Sequence, residues 1–503
     1  MAEIQTAAAG ATVDAAESHL DPHHAKRWFI LAVIGLAQLM IVLDVTIVNI
    51  ALPDAQKALA FSDGDRQWIV TAYSLAFGSL LLLFGRISDL VGRRVMFLVG
   101  LVAFAAASAL GGAAPNFEIL VTARALQGVA GAMLAPAALS LLSTTFTEAK
   151  ERATAFAVFG GIAGSGAAIG MLLGGVLTEY LNWRSTLFVN VAISVIAIAG
   201  AAALIPRQRK SENRPTLDIP GTVLVSAGLF AIVYGFSNAE SHAWSAPGTW
   251  GFLLGGVVLI ALFAWWQTRA SHALLPLRVL LDRTRGGSFL AMFITGIGMF
   301  GVFLFLNYYL QVNLRYSPVM TGVAFLPMVG ALMLSATICT TQLYPRIGAK
   351  ILVFGGMAGG ALGMAWLTGI SSTSTYGANI LGPLLVIGVG MGAIFAPAMN
   401  AAVTGVQERD AGVASAMVNT SQQIGGSIGT ALLNSLATSA ASAYLVGKTA
   451  SQAVVADAQI HSYTVAFWWA AGIFAAGAVI CGLILRAGKP DPIDSNADPV
   501  VHA

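Results

Sequence analysis

Residues 29–52 read FILAVIGLAQLMIVLDVTIVNIAL, and this stretch decides the class of fold. It is longer than the roughly 20 apolar residues that a helix needs to cross the hydrocarbon core of a bilayer. Its one charged side chain, Asp44, lies well inside it. The stretch therefore predicts a transmembrane helix that carries a buried carboxyl group.

The composition of the whole chain agrees with that prediction. The 503 residues are 57% hydrophobic and only 10% charged, whereas a soluble domain is about 25% charged. So few charges cannot cover a soluble protein, and so much apolar material excludes a disordered one. No basic block indicates a nucleic-acid partner. The composition predicts an integral protein of the lipid bilayer.

Fourteen stretches are long and apolar enough to be membrane spans, which predicts an all-α integral membrane protein with 14 transmembrane helices. The predicted spans are 29–52, 67–84, 95–113, 118–142, 153–178, 185–205, 218–237, 250–267, 287–310, 318–341, 351–370, 379–402, 411–436 and 464–485. The longest predicted loop is 437–462, which is rich in alanine and serine.

The distribution of basic residues predicts the orientation. With this set of spans, 20 of the 26 lysines and arginines fall on the side of the amino terminus and five on the other side. Basic residues concentrate in cytoplasmic loops. We therefore expect both termini in the cytoplasm, with disordered tails at residues 1–28 and 486–503.

Short matches recur at a nearly constant interval and predict two related halves. Gly92 corresponds to Gly348, and GAMLAPA at 131–137 corresponds to GAIFAPA at 392–398. Transporters are often built from such repeats. The predicted units are a first six-helix bundle at 29–205, a linker at 206–285 with two inserted helices at about 218–237 and 250–267, and a second six-helix bundle at 286–485.

Two charged side chains lie well inside predicted spans, Asp44 in the first and Arg124 in the fourth. A charge at the bilayer centre costs about 2.5–3.5 kcal/mol on insertion scales, and such residues are functional candidates by default. Asp44 is a candidate proton carrier, and Arg124 a candidate partner for an acid or an anion. A purely structural ion pair remains the alternative.

Polar side chains also share helix faces with small residues, which favours a water-lined or closely packed surface over a lipid-facing one. Gln127 lies one turn after Arg124 in the fourth span. These side chains are candidates for lining a substrate cavity, and hydrogen bonding between helices explains each of them as well. The other candidates are Asn307, Tyr308, Gln311, Asn419, Gln422 and Gln423.

The short loop after the second span reads GRISDLVGRR at 85–94. A carboxylate and two arginines at this place can form a breakable latch against a helix end. A basic loop that only sets the orientation would account for the arginines but not for the aspartate or the glycines. The latch candidates are Gly85, Asp89, Gly92, Arg93 and Arg94.

The fifth predicted span is unusually rich in glycine, including Gly166, Gly170, Gly174 and Gly175. Glycines allow two helices to approach closely or allow a helix to bend. Packing alone remains the alternative to a functional role.

No P-loop, catalytic constellation or metal-binding cluster stands out in the sequence. We therefore expect no cofactor, no metal and no enzymatic activity. Transport would have to be driven by an ion gradient.

The motifs together resemble a known family. The loop at 85–94 resembles the GxLaDrxGrr signature of the major facilitator superfamily. LDVTIVNIALP at 43–53 resembles the first-span motif of its 14-span drug:proton antiporters, and RALQG at 124–128 resembles their fourth-span RxxQG motif. LDIPG at 217–221 looks like the start of their additional seventh span. The resemblance covers nearly the whole chain except the tails.

The resemblance implies a multidrug or antibiotic exporter that works by alternating access. Its partners would be protons and a small amphipathic substrate, with Asp44 and Arg124 in proton coupling. It also implies a monomer in a bacterial inner membrane. The fifth-span motif usually reads like GPxxGPxxGG, but here GAAIGMLLGG at 166–175 lacks both prolines. A proton-coupled uptake permease therefore remains an alternative, as does a receptor or scaffold without transport.

Overall fold

The computed structural model is built from helices, and no strand occurs among the residues that it describes. These residues are 26–62, 65–146, 148–206, 218–242, 244–270, 273–275, 277–403, 406, 408–449 and 451–488. The predicted tails therefore lie outside the described residues except at 26–28 and 486–488. Most of the linker segment before the seventh helix also lies outside them.

Fourteen helices of at least 20 residues follow one another in this part of the chain, and we number them in chain order. They are α1 (Arg27–Leu59), α2 (Gln67–Val91), α3 (Arg93–Gly112), α4 (Phe117–Thr145), α5 (Ala149–Tyr180), α6 (Ser185–Leu204), α7 (Ile219–His242), α8 (Pro247–Gln267), α9 (Arg283–Tyr308), α10 (Pro318–Ile338), α11 (Tyr344–Leu367), α12 (Leu381–Val403), α13 (Glu408–Leu445) and α14 (Gln452–Ile484). Short π-helical turns follow α9 and α10 and precede α12.

Ten helical stretches in the described residues are long and apolar enough to cross a membrane. One of them, Pro318–Leu367, runs through both α10 and α11. α2 and α5 contribute only the shorter apolar segments Trp68–Leu81 and Ile169–Tyr180. The chain is therefore a multi-pass helical membrane protein, and the number of 14 crossings stays a prediction.

The prediction of a long loop at 437–462 is wrong, because most of this segment is helical. α13 continues to Leu445, and α14 begins at Gln452 with the Ser451 hydroxyl accepting from the backbone N–H of Val454 at 3.3 Å. The alanines of this region favour helix but add little hydropathy. Helices therefore extend beyond the apolar stretches that indicate a span.

The packing partners of the helices recur in the two halves of the chain. α1 packs against α5 and α6, and eight helices later α9 packs against α13 and α14. α2 and α3 both pack against α4, and α10 and α11 both pack against α12. This recurrence is the arrangement that the predicted repeat requires.

Backbone geometry recurs as well. Gly92, between α2 and α3, has φ 102°, and Gly348, near the start of α11, has φ 74°. Glycine is the residue that adopts such angles without steric cost. Gly92 and Gly348 are the two glycines that correspond to each other in the predicted repeat.

The inserted helices α7 and α8 pack against each other, and α7 packs against α2 and α13. The Asp218 carboxylate links the start of α7 to the end of α8. It accepts from Trp266 Nε1 and from Gln267 Nε2, both at 2.7 Å, and from the backbone N–H of Gly221 at 2.9 Å. The insertion therefore lies beside the seam between the two halves.

We call the end of the protein where α1 begins and α2 passes into α3 the N-terminal face. The end where α1 and α9 finish is the opposite face. The halves meet through α5 with α10, α2 with α13, and α1 with α9 and α10. The candidate site lies within the first half, among α1, α3, α4 and α6.

Candidate functional site

Asp44 lies in the middle of α1 and is completely buried. Its neighbours along this apolar helix supply no charge, so any partner must come from another helix. A buried carboxylate without a partner would be strongly destabilising. The partner is Arg124 of α4, which is also buried.

The Arg124 Nη1 atom donates to Asp44 Oδ2 at 2.5 Å. The sequence put both residues forward separately as proton-coupling candidates, and the structure brings them together. Charge-assisted hydrogen bonds of this kind are shorter and stronger than neutral ones. The pair satisfies each charge within the protein interior, away from water.

Gln127 joins this pair, one turn after Arg124 on α4. Its Oε1 accepts from Arg124 Nη1 at 2.9 Å, and its Nε2 donates to Asp44 Oδ1 at 2.9 Å. The same Nε2 donates to the Ser108 hydroxyl of α3 at 2.8 Å. In this structure Gln127 is therefore fully buried in the network around the ion pair, whereas the sequence predicted it to line a cavity.

Sequence reasoning missed Asn190 on α6. Its Nδ2 donates to Asp44 Oδ1 at 2.7 Å, and the residue is completely buried. Asn190 is the only carboxamide in α6, whose other polar side chains are hydroxyls. That single carboxamide was the available signal, but an uncharged side chain stands out less in a span than a charged residue or a face with several amides.

Two contacts with α2 fix the Arg124 side chain. Its Nε donates to the backbone carbonyl of Ile69 at 3.1 Å, and its guanidinium lies 4.5 Å from the centre of the Tyr73 ring. α2 comes this close because Gly128 has no side chain. A Cβ atom at Gly128 would lie 2.3 Å from the Tyr73 carbonyl oxygen. The glycine of the RALQG motif thus has a packing reason beside the arginine and glutamine.

The predicted glycines of the fifth span lie at helix contacts. Gly166, Gly170 and Gly174 face α1, with Gly170 directly against Thr46. Gly175 faces the start of α10 in the other half. Their spacing places three of them on one face of α5. In this structure they allow α5 to approach the helix that carries Asp44.

Asn307 and Tyr308 of α9, and Gln311 of the π-helical turn that follows it, join the two halves. Asn307 Nδ2 donates to the Asn49 carbonyl at 2.6 Å, and Gln311 Nε2 donates to the Ile50 carbonyl at 3.1 Å. The guanidinium of Arg66 lies 3.7 Å from the centre of the Tyr308 ring. These residues were predicted to line a cavity. In this structure Asn307 and Tyr308 are buried between α9 and α1 near the opposite face.

The three predicted polar residues of α13 are only half-buried. Asn419, Gln422 and Gln423 all retain partial exposure, and Gln422 Nε2 lies 3.9 Å from Met299 Sδ. They do not contact the Asp44 network. Their role in a substrate cavity stays a prediction.

The predicted latch lies on the N-terminal face. Arg94 Nη2 donates to the Ala202 carbonyl at 2.8 Å, at the last turn of α6. A cation at this position stabilises the negative end of the helix dipole. Gly85 faces Pro136 of α4, and Gly92 and Arg93 are partly exposed. The side chain of Asp89 lies outside the described residues, so the predicted latch is described only in part.

No group of three or more metal-binding side chains occurs in the part of the chain that the structure describes. The network around Asp44 consists of one carboxyl group, one guanidinium, the carboxamides of Gln127 and Asn190, and the Ser108 hydroxyl. Such a set can bind and release a proton beside a fixed positive charge.

Comparison with known proteins assigns this arrangement to a family. The family model described as Major Facilitator Superfamily matches residues 34–430. A puromycin resistance protein, pur8, of Streptomyces alboniger is 47% identical over 462 residues, which cover 92% of each chain. A cephamycin export protein, CmcT, of Amycolatopsis lactamdurans is 37% identical over 399 residues, covering 79% of this chain and 82% of that protein. A tetracenomycin C resistance and export protein of Streptomyces glaucescens is 31% identical over 411 residues, covering 82% and 76%.

Solved structures support the same fold. An auto-inhibited peptide transporter of the POT family superposes with a TM-score of 0.67 at 15% identity, covering 94% of this chain and 98% of that one. The nucleoside transporter NupG superposes with a TM-score of 0.62 at 12% identity, covering 91% and 100%. At this low identity the likeness concerns the fold alone.

Proposed function

The chain belongs to the major facilitator superfamily, and on that basis we propose that it exports small amphipathic antibiotics or drugs from a bacterial cell in exchange for protons. It is a transporter and not an enzyme, and it is a multi-pass protein of a bacterial inner membrane. Its relatives are export and resistance proteins for puromycin, cephamycin and tetracenomycin C.

One observation carries the proposal of proton coupling: the buried contact between Asp44 and Arg124. An ionised carboxylate and a guanidinium have no net charge together. Binding of one proton to Asp44 removes the attraction and leaves the positive charge of Arg124 unbalanced. Loss of the attraction between two opposite charges in a low-dielectric interior can alter which arrangement of helices is favoured.

The mechanism that we propose is alternating access between two six-helix bundles, at residues 29–205 and 286–485. Contacts of Asn307 and Gln311 with the backbone of α1 support closure at the opposite face in this conformation. Release of these contacts would open that face and expose the substrate. A proton would enter from the same side, bind Asp44, and leave toward the N-terminal face when the bundles rock back.

We propose that the N-terminal face is cytoplasmic, as are both termini. The excess of lysine and arginine in the segments at that face supports this orientation. We also propose 14 crossings, with α7 and α8 as the inserted pair, and a monomer as the working unit.

The substrate would contact the half-buried amides of α13, namely Asn419, Gln422 and Gln423. Asp44 is already engaged by Arg124, and the predicted second bundle has no acid deep in a span. We therefore expect neutral and monocationic compounds to be preferred over multiply charged cations.

A second candidate is proton-coupled uptake of a small metabolite. The absence of both prolines in GAAIGMLLGG at 166–175 favours it, because that segment departs from the antiporter pattern. The direction of transport measured in inverted vesicles separates the two candidates.

The test uses a pump-deficient bacterium that expresses the wild-type chain, Asp44→Asn, or the control Asp457→Asn, whose carboxyl is exposed at the start of α14. Export of a lipophilic monocationic dye and of puromycin is measured with and without a protonophore. We expect export by the wild type and the control that collapses with the protonophore, and none by Asp44→Asn. Protonophore-insensitive export, or uphill export by Asp44→Asn, would refute proton coupling through Asp44.

A further inference from the structure

In the Asn190 amide, the nitrogen makes a hydrogen bond and the oxygen makes none with the described residues. Its Nδ2 donates to Asp44 Oδ1 at 2.7 Å. Its Oδ1 is buried and accepts no hydrogen bond from the described residues. Since buried polar atoms are nearly always paired, an orphaned carbonyl beside a proton-binding group requires an explanation.

The orientation of this amide follows from the charge of Asp44. An oxygen turned toward an ionised carboxylate would place two acceptors against each other, whereas the nitrogen supplies a donor. After protonation the requirement reverses, because a carboxyl O–H needs an acceptor. Rotation of the Asn190 side-chain amide by half a turn would supply its free oxygen.

Arg124 and Gln127, the other two groups that donate to Asp44, do not have this freedom. Arg124 is donor-only and holds Oδ2. Gln127 is fixed at both ends, since its oxygen accepts from Arg124 and its nitrogen donates to Ser108 as well as to Asp44. The proton therefore belongs on Oδ1, because of the two carboxamides that donate to this oxygen only Asn190 has an oxygen without a hydrogen-bond partner among the described residues.

We propose that Asn190 is a positioning residue that serves both protonation states of Asp44. Its Nδ2 donates to the ionised carboxylate, and after amide rotation its Oδ1 accepts from the protonated Oδ1–H. The proton arrives on Asp44 Oδ1 and leaves from it, and no covalent bond of Asn190 changes. This inference rests on the proposed proton coupling.

The surroundings leave few other groups that could produce the same pH dependence. Arg124 on α4 and Tyr73 on α2 face Asp44. α6 contributes Asn190 and has no ionisable side chain. α5 has its described acids, Glu151 and Glu179, at its two ends. α9 and α10 have no acid along their length.

The first experiment measures the protons that purified protein releases into weakly buffered detergent solution when puromycin is added, over a range of pH. Asn190→Leu keeps the approximate shape of the side chain and removes both hydrogen-bonding roles, and Asn190→Ala is the second variant if the first does not fold. The control is Ser194→Ala, one turn along α6, which removes a contact with Met40 of α1 and none with Asp44.

A hydrogen bond to a charged group contributes more than one between neutral groups. Loss of Asn190 should therefore weaken the ionised state more than the protonated state. We expect the midpoint of proton release to move to higher pH by about one unit, a tenfold change, which corresponds to about 1.4 kcal/mol. The number of protons released should stay the same, and Ser194→Ala should keep the wild-type midpoint.

The second experiment tests rotation directly by infrared difference spectroscopy with isotope-labelled asparagine. Between low and high pH, the wild type should show a shift of one asparagine side-chain carbonyl band, absent in Asn190→Leu and in Asp44→Asn. No band shift would overturn the rotation. Folded Asn190 variants with the wild-type midpoint would overturn the positioning role.

The outcomes separate this inference from the proposed function. If the wild type releases no proton, or if Asp44→Asn still releases one, proton coupling through Asp44 fails and the role of Asn190 fails with it. If release depends on Asp44 but not on Asn190, the proposed function stands and only the inference about Asn190 is wrong.

Discussion

The close approach of α2 and α4 at Gly128 leads to a sharp prediction for Gly128→Ala. The new Cβ would lie 2.3 Å from the Tyr73 carbonyl oxygen and 3.0 Å from the Ala76 Cβ, whereas ordinary contacts begin near 3.4 Å. The obstacle is backbone, which cannot rotate away. The two helices must therefore separate by about 1 Å, a shift of the kind that overpacking produces.

Separation of α2 and α4 would break a hydrogen bond that holds Arg124, the partner of Asp44. The bond from Arg124 Nε to the Ile69 carbonyl is already 3.1 Å long, and an added ångström takes it beyond hydrogen-bonding distance. Overpacking costs about 1–3 kcal/mol, and a lost bond to a charged group costs about 1.5–3 kcal/mol. We expect the free energy of unfolding to fall by about 3 kcal/mol and export to fall at least tenfold, on the order of the effect of a misplaced functional group.

The assay is denaturant unfolding in detergent micelles, with dye export measured on the same variants in cells. The matched control is Gly251→Ala on α8, where a Cβ would meet nothing within 4 Å. Alanine is favoured over glycine in a helix by about 0.5–1 kcal/mol, so this control should be at least as stable as the wild type. Wild-type stability together with wild-type export in Gly128→Ala would refute the reasoning.

The ion pair, the contact between the halves and the left-handed glycine of α11 can each be tested by one substitution. Arg124→Gln should cost about 3–5 kcal/mol of unfolding free energy because it leaves the buried charge of Asp44 without a countercharge, and adding Asp44→Asn should recover part of that loss in a double-mutant cycle. Asn307→Leu should loosen the opposite face, so that a reporter cysteine at Asn49 reacts at least threefold faster with an impermeant thiol reagent. Gly348→Ala should cost about 1–3 kcal/mol in the same unfolding assay, because φ 74° with ψ 176° is open essentially to glycine alone.

Each of these three predictions has an outcome that would contradict it. Additive effects in the double-mutant cycle would mean that the two charges do not stabilise each other. An unchanged labelling rate would exclude Asn307 from closure of the opposite face. The control for the glycine is Gly355→Ala on the same helix, where a Cβ meets nothing within 4 Å. Equal effects at the two glycines would contradict the argument from backbone geometry.

The helices were largely predictable from the sequence, because length and hydropathy determine where a membrane helix can lie. α4 runs over Phe117–Thr145 where 118–142 was predicted. The ends were less predictable, as α1 continues to Leu59 through Pro53 and α13 continues to Leu445. Beyond the apolar core of a span, helix propensity and capping decide where the helix ends.

The site was predictable only in its charges. Asp44 and Arg124 stand out because charges are costly in an apolar helix, but a single sequence does not reveal which helices touch. Asn190 and Ser108 carry no charge, and small polar residues in membrane helices often serve packing alone. Asn307 and Gln311 were expected beside a cavity, but they are bonded to carbonyls of α1, a partner that no side-chain pattern could indicate.

The neutrality of the Asp44–Arg124 pair bears on whether the pH difference or the membrane voltage drives export. If one proton is exchanged for one substrate molecule, export of a monocation moves no net charge and responds only to the pH difference. Export of a neutral compound moves one charge inward, and the membrane voltage then adds about 2.3 kcal/mol per 100 mV. The same protein would thus be driven by voltage for one drug and be indifferent to voltage for another.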